Sequence, residues 1–214
     1  MPCCGKEICS GCVYAKMMRE EEQELERKCP FCRTPHDEGE DHERIMKRVE
    51  ACDLLTMCHY ALTIYKKGDY DRAIEYWKKA VDLGDYVEAH SQLGRRYYNG
   101  EGVEKDMEKA VYHLEIAAVG GHYIARCFLG FIERDNGNVE RAVKHYIIAA
   151  KLGYDQAMKM LWLHYRLKNI TKEDLEATLR AHQAAVDATK SSQRKEVEDG
   201  WLKQPETMEK YFCT

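Results

Sequence analysis

Apolar residues from about residue 52 onward recur at helical spacing, in segments of similar length that are separated by short polar turns. Three of these segments open with a helix N-cap residue, carry an acid in the first turn and then reach an alanine. They are 69–73, 106–110 and 138–142. A second alanine follows seven residues later, and a glycine typical of a left-handed C-cap comes next, at Gly84, Gly121 and Gly153. The pattern predicts the second helices, or B helices, of a repeating hairpin.

The predicted partner helices, or A helices, share small and apolar positions that permit close contact between helices. Their motifs are Ala89, Leu93 and Gly94; Ala125, Leu129 and Gly130; and Ala157 and Leu161. The glycine-to-glycine period is 37 and then 32 residues, and most of the difference lies in one loop over residues 98–106. A helical hairpin repeated with variable loops predicts a mainly α fold, an α-solenoid.

The central units resemble the SEL-like repeat family, a relative of the tetratricopeptide repeats. The residues that carry the resemblance are Leu93, Gly94, Tyr97, Gly100, Gly102, Val103, Asp106, Ala110, Ala117, Ala118 and Gly121. The resemblance covers residues 89–157, whereas the unit over 57–84 is closer to a tetratricopeptide repeat because Ala61 stands in the glycine column. The resemblance implies that the solenoid binds a protein or peptide ligand.

The repeat pattern decays after Leu161, and Thr171 opens a last helix whose apolar stripe predicts an end cap. The stripe is Leu175, Leu179, His182, Ala185 and Val186. The predicted organisation is a cysteine-rich segment over 1–36, a polar linker and helix start over 37–51, repeats over 52–168, a capping helix over 169–190 and a polar tail over 191–214.

Charge and apolar run length exclude two classes of function. The chain has 33 Lys and Arg against 37 Asp and Glu, so no general basic field favours polynucleotide binding. The longest apolar run, residues 146–150, is far shorter than a membrane span, and the N-terminus has no hydrophobic signal core. We therefore expect no nucleic-acid or membrane partner, and a cytoplasmic or nuclear location.

Six of the ten cysteines lie near the N-terminus, at Cys3, Cys4, Cys9, Cys12, Cys29 and Cys32. Four of them form two Cys-x-x-Cys knuckles sixteen residues apart, and this spacing lets each knuckle present two sulfurs to one Zn²⁺. The knuckles alone would indicate a zinc ribbon, but one four-coordinate ion cannot use six sulfurs. A segment this short needs metal to fold, and the alternative is reduced cysteine without metal.

The run from Cys4 to Cys12, followed by Cys29 to Arg33, resembles the second to fourth ligand pairs of the RING finger family. Lys6 stands where the common form has histidine, so the resemblance is to the all-cysteine variety. It implies two zinc ions in a cross-brace, in which Cys3, Cys4, Cys29 and Cys32 hold one ion and Cys9 and Cys12 hold half of a second site.

The first ligand pair of the RING pattern would precede Cys3. Either the gene product begins further upstream, or the finger is degenerate. His36 and His42 are the other potential ligands, but neither stands at a position of the family pattern.

Two functions follow from these resemblances. In the first, the finger recruits a ubiquitin-conjugating enzyme to a substrate on the solenoid, so the chain is a RING-type ubiquitin ligase that forms no covalent intermediate. Pro30 and Arg33 match family positions that contact the conjugating enzyme or its ubiquitin. In the second, the zinc finger is purely structural and the chain is a non-enzymatic interaction scaffold.

Other candidate chemistry has a structural explanation. His113 and His145 share one repeat column with Tyr76, so we expect structural or surface roles for both histidines. The loop over 99–102 lacks the Lys-Ser/Thr of a phosphate-binding loop and serves as a repeat connector. Cys52, Cys58 and Cys127 lie in helical patterns and are predicted to be small core residues.

Overall fold

The computed structural model of the chain describes residues 38–188, together with residue 23. Within these residues the secondary structure is nine helices without strands: α1 (Glu38–Glu50), α2 (Leu54–Lys66), α3 (Tyr70–Gly84), α4 (Val87–Asn99), α5 (Met107–Val119), α6 (Tyr123–Asp135), α7 (Val139–Lys151), α8 (Asp155–Arg166) and α9 (Lys172–Ala188). The mainly α, solenoid-type architecture predicted from the repeats is confirmed. The predicted zinc finger over 1–36 lies outside the described residues.

The chain divides into two compact units, and the repeats lie in the unit that spans residues 48–187. Most of α1 belongs to the other unit. Helix α1 covers most of residues 37–51, the segment predicted as a polar linker and helix start. In the repeat unit, α2, α4, α6 and α8 are the A helices, and α3, α5 and α7 are the B helices. None of the helices over 38–188 is long and apolar enough to cross a membrane.

The B helices begin at the predicted residues. The carboxylate of Asp69 accepts a hydrogen bond from the Arg72 amide at 3.2 Å, and the Asp106 carboxylate caps α5 in the same way at 3.0 Å. Asn138 is also an N-cap residue, but its side-chain amide donates to Glu133 at 2.8 Å instead of capping α7. The N-cap pattern therefore predicts all three helix starts, although only the two aspartates supply a side-chain cap.

The predicted C-caps hold for two of the three glycines. Gly121 and Gly153 have left-handed backbones, with φ of 85° and 88°. The prediction is wrong for Gly84, which is the last residue of α3, while the left-handed position falls on Asp85 with φ of 46°. Glycine at position 84 instead allows a close approach, since a Cβ there would lie 2.8 Å from the Leu54 side chain.

The A and B helices of one hairpin pack closely at a glycine. A Cβ on Gly94 of α4 would lie 2.6 Å from Leu114 Cγ of α5. A Cβ on Gly130 of α6 would lie 2.5 Å from the Tyr146 ring of α7. These contacts confirm that the small residues of the A helices permit close helix packing.

Two of the three cysteines predicted to be core residues are buried. Cys58 and Cys127 belong to hydrophobic clusters of the first and third hairpins, and burial raises the pKa of each thiol to about 12. The prediction is wrong for Cys52, which is exposed and has φ of 58°. Cys52 lies in the turn between α1 and α2, so it is not part of a helix face that packs into the core.

Helix α9 packs against α7 and α8. Asp174 N donates to Thr171 Oγ1 at 3.1 Å, which confirms Thr171 as the residue that opens α9. Leu175 is buried, but Leu179 is 41% exposed, so its placement in the buried stripe is wrong. Thr178 is buried instead, because Leu175, Thr178 and His182 share the side of α9 that faces the repeats. His182 Nδ1 donates to the Ala150 carbonyl at 2.9 Å.

Candidate functional site

The A helices of successive hairpins lie side by side. Tyr98 of α4 donates a hydrogen bond to Asp135 of α6 at 3.0 Å. The ring of Phe128, also from α6, stands edge-on to the Tyr98 ring with centroids 5.6 Å apart. Tyr65 of α2 contacts Arg96 of α4, and Tyr123 of α6 contacts Tyr154 at the start of α8, so side chains from neighbouring A helices form one surface.

We call this surface the A-helix face and define it by three positions of each A helix, spaced four and three residues apart so that they share one side of the helix. The positions are Leu55, His59 and Leu62 of α2; Glu88, Gln92 and Arg95 of α4; Ile124, Phe128 and Phe131 of α6; and Gln156, Met160 and Leu163 of α8. Most of these side chains are half-buried, so they remain accessible to a partner.

A line of polar side chains runs along α4 at spacings of four residues. Gln92 donates to the Glu88 carboxylate at 2.7 Å, and Arg96 donates to Gln92 Oε1 at 3.2 Å. His122 lies 2.8 Å from the other Glu88 oxygen. The hydrogen bond from His122, with help from Gln92, outweighs burial and lowers the pKa of Glu88.

The same line continues into the long loop after α4. Arg96 is only 5% exposed and pairs with Glu101, and Tyr65 OH donates to the same Glu101 oxygen at 2.8 Å. The Arg96 guanidinium also stacks on Tyr65, 3.8 Å from its ring centroid. Burial raises the pKa of Glu101, but the hydrogen bonds from Tyr65 and Arg96 outweigh it, so the net shift is downward.

Arg95 differs from the other arginines of α4 and α6. Arg96, Arg126 and Arg134 each donate a hydrogen bond to an oxygen of the protein. Arg95 has an aromatic neighbour instead, with its guanidinium carbon 5.4 Å from the Phe128 ring centroid. Its Nε, like that of Arg96, is buried and has no hydrogen-bond partner. Burial and the adjacent charge of Arg96 lower the pKa of Arg95.

A pair of histidines joins α4 and α5. The Nδ1 atoms of His90 and His113 lie 2.9 Å apart, so one ring donates and the other accepts. Tyr97 stacks parallel to the His113 ring at 5.8 Å, and Asp85 lies 3.5 Å from His90 Nε2. Burial, together with the neighbouring His90, lowers the pKa of His113 to about 4. These contacts confirm the structural role expected of His113.

The residues predicted to bind zinc or the conjugating enzyme all lie outside the described residues. They are Cys3, Cys4, Cys9, Cys12, Cys29, Cys32, Pro30 and Arg33. His36 is also outside, whereas His42 lies in α1. Over residues 38–188 no group of three or more His, Cys, Asp or Glu side chains is placed to hold a metal ion.

Arg95 is not among the residues predicted from the sequence to have a function. Aligning the A helices on their alanine and leucine positions places Leu62, Phe131 and Leu163 in the column of Arg95. An arginine in an otherwise apolar column is a signal that the sequence contains. Its significance depends on the absence of a hydrogen-bonded carboxylate beside Arg95, which only the structure shows.

Comparison with known families identifies the repeats. Residues 50–85, 87–122 and 126–154 match the Sel1 repeat family. The first match shows that the Sel1 description also applies to the unit that the sequence analysis assigned to the tetratricopeptide type.

A curated relative and two of the solved structures that match this chain show the extent of the similarity. Chitin synthase regulatory factor 4 of Schizosaccharomyces pombe is 33% identical over an alignment of 107 residues, which covers 47% of this chain and only 17% of that protein. A Sel1 repeat protein from Oxalobacter formigenes superposes with a TM-score of 0.60 at 24% identity, covering 86% of this chain and 74% of that one. The protective antigen c5321 of uropathogenic Escherichia coli, which displays an SLR fold, superposes with a TM-score of 0.56 at 23% identity, covering 69% of this chain and 33% of that one.

Proposed function

Because residues 50–154 are Sel1 repeats, we propose that the chain is a protein-interaction scaffold whose A-helix face binds an extended segment of a partner protein. The observation that carries this proposal is the set of half-buried apolar side chains that α2, α6 and α8 place on the A-helix face, including Leu62, Phe128 and Met160, on both sides of the polar residues of α4. Partly exposed apolar surface flanked by polar groups is typical of a site where another protein docks.

The test is to pan a displayed library of random peptides against the full chain and to measure the affinity of the enriched peptides. We expect Phe128→Ser to weaken binding at least tenfold, because Phe128 lies at the centre of the A-helix face. Ile148→Ser is the matched control, since Ile148 is an exposed apolar residue on the B helix α7. Circular dichroism checks that both variants remain folded. Failure to enrich any peptide, or equal weakening by both variants, would contradict the proposal.

We further propose that the N-terminal segment binds zinc and recruits a ubiquitin-conjugating enzyme to a substrate held by the repeats. The spacing of the cysteine pairs supports this proposal, as do Pro30 inside the second knuckle and Arg33 directly after it. Four thiolates form a donor set that suits Zn²⁺, which supplies folding energy to a segment too short for its own core. Cys3, Cys4, Cys29 and Cys32 would hold one ion, and Cys9 and Cys12 would contribute to a second.

Metal analysis tests the zinc proposal. Freshly purified, reduced protein is expected to carry one tightly bound zinc ion, and Cys29→Ser is expected to release it. Cys52→Ser, which replaces an exposed cysteine of the repeat unit, is the control and should retain the metal. Protein that contains no zinc would contradict the proposal.

Discharge of ubiquitin from a charged conjugating enzyme tests the ligase proposal. A RING-type ligase accelerates discharge by positioning the charged enzyme, so Arg33→Ala is expected to reduce the rate. Discharge that is no faster than without the protein, and that is unchanged by Arg33→Ala, would contradict the ligase proposal. Only the scaffold function would then remain.

A further inference from the structure

Arg95 is a cation held against an aromatic ring in the middle of the A-helix face. It comes from α4, which has an A helix on each side, α2 before it and α6 after it. Its side chain is half-buried, its Nε has no hydrogen-bond partner, and its contact is with the Phe128 ring. A guanidinium in contact with a ring can still direct its N–H groups at the two oxygens of a carboxylate.

The carboxylates near Arg95 are already engaged. They are Glu88 and Glu101, whose charges act on Arg95, and Asp135, which accepts from Tyr98 beside the Phe128 ring. Each makes hydrogen bonds with at least two other side chains of the repeats. The interior charge of Arg95 is therefore not neutralised by a hydrogen-bonded carboxylate from these three residues.

The surroundings of Arg95 destabilise its positive charge. Burial is the main cause of its lowered pKa, and the positive charge of Arg96 adds to it. An opposite charge brought within hydrogen-bond distance would offset both effects by stabilising the charged guanidinium. A ligand carboxylate would thus be worth more at this position than at an ordinary surface arginine, because the guanidinium is already partly desolvated.

The residues that occupy the column of Arg95 in the neighbouring A helices indicate which side chains the ligand carries beside its acid. Leu62 precedes it on α2 and Phe131 follows it on α6, so apolar groups flank the charge on both sides. Packed helices lie about 8–10 Å apart, and an extended chain advances about 3.3 Å per residue. A peptide crossing the three helices therefore advances about three residues from one column position to the next.

The geometry points to an acidic peptide segment as the ligand of the A-helix face, with an Asp or Glu bound by Arg95 and an apolar residue about three positions away on each side. This inference rests on the proposed scaffold function and adds the chemical class of the partner. Arg95 is the specificity-determining residue, and Leu62 and Phe131 contact the flanking apolar side chains.

The first experiment compares the peptides that the full-length wild-type chain and Arg95→Leu enrich from the same random library. Leucine is the residue of this column in two other A helices, so the variant preserves the repeat pattern. The wild-type chain is expected to enrich an acid with apolar residues about three positions to each side, and Arg95→Leu to keep the apolar preference without the acid. Lys79→Leu makes the same change in charge on the exposed side of α3 and should keep the acid preference.

The second experiment measures the affinity of one enriched peptide and of its copy with the acid replaced by the matching amide. The copy is expected to bind the wild-type chain about tenfold or more weakly, because a hydrogen-bonded charge is lost. On Arg95→Leu the two peptides should bind equally, and Arg95→Lys should restore a preference for the acid.

The outcomes separate this inference from the function on which it rests. Enriched peptides without an acid, or an acid preference that persists in Arg95→Leu, would overturn the role of Arg95 while the scaffold function stands. Failure of every variant to enrich a peptide would overturn both.

Discussion

Arg96 and Glu101 pair across the junction between α4 and the loop that follows it, so the buried guanidinium is neutralised by a residue of the loop. This loop is longer than the one in the next repeat and accounts for most of the difference between the 37- and 32-residue periods. Tyr65 of the preceding A helix donates to the same carboxylate. The additional loop residues therefore connect two hairpins.

Replacing Glu101 should destabilise the repeats more than its position in a loop suggests. Glu101→Ala leaves Arg96 buried without its carboxylate, and we expect a loss of about 2 kcal/mol in the free energy of unfolding. Urea denaturation measures the change. Glu104→Ala, an exposed acid of the same loop, is the control and should change stability by less than about 0.5 kcal/mol. Equal effects of the two variants would contradict the importance of this ion pair.

The close approach of α4 and α5 predicts that Gly94 does not tolerate a methyl group. A Cβ would lie 2.6 Å from Leu114 Cγ and 3.1 Å from the Leu114 amide nitrogen, so backbone would have to move. We expect Gly94→Ala to cost about 1–2 kcal/mol, even though alanine favours helix by about 1 kcal/mol. Gly84→Ala meets the end of a flexible leucine side chain and should cost less. Thermal unfolding of both variants decides; an unchanged or raised Tm for Gly94→Ala would contradict the prediction.

The repeats should lose stability as the pH falls from 6.5 toward 5. Burial lowers the pKa of His113, to about 4, and those of His145 and His164 below the ordinary value of 6.5. In this range the unfolded chain binds more protons than the folded one, so acid favours unfolding. Unfolding free energies from urea titrations at pH 7.5, 6.5, 5.5 and 5.0 test this sign.

The contribution of His113 can be separated from that of the other histidines. His113→Gln keeps a hydrogen-bonding side chain beside His90 but removes the titration. The slope of stability against pH between 6.5 and 5 should fall by up to one bound proton, with little change above pH 7. A slope that His113→Gln leaves unchanged would assign the acid sensitivity to other groups.

Alkylation should distinguish the three cysteines of the repeat unit. Cys52 is exposed, whereas burial raises the pKa of the Cys58 and Cys127 thiols to about 12. Iodoacetamide at pH 8 is expected to modify Cys52 in the folded protein and the other two only in denaturant. Peptide mapping by mass spectrometry reads out each site. Rapid labelling of Cys58 or Cys127 in the folded protein would show that their helices open readily.

Removal of zinc should leave the repeats folded. Their hydrophobic clusters are formed by residues of the unit over 48–187 itself. We therefore expect a strong chelator to unfold residues 1–36 while the helical circular dichroism signal and the Tm of the repeats stay the same. Cooperative loss of the whole helical signal would instead show that the metal-binding segment is an integral part of the solenoid.

Features that depend on local interactions could be predicted from the sequence. Asp69 and Asp106 start B helices because an aspartate can accept from a backbone amide three residues ahead, whatever the rest of the fold. The recurring alanines and leucines gave the helix faces and the pairing of helices into hairpins, because a small residue in the same column of each repeat serves the same contact.

Features that depend on contacts between elements could not be predicted. The end of α3 at Gly84 is linked to the position of Leu54 on another helix, and the exposure of Leu179 depends on how α9 rotates against α7 and α8. The candidate site belongs to this second group. Arg95 is one residue away from Arg96 and chemically identical to it, and only their surroundings leave one neutralised and the other available.

The pairing of each helix with its neighbours in sequence has a consequence for biosynthesis. The hydrogen bond from Tyr98 to Asp135 spans 37 residues, and the close contact of Gly94 with Leu114 spans 20. Interactions of this range can form as soon as one further hairpin has left the ribosome, because both partners lie in the same hairpin or in the next one. The first hairpins can therefore fold on the nascent chain, and the A-helix face is assembled progressively while translation continues.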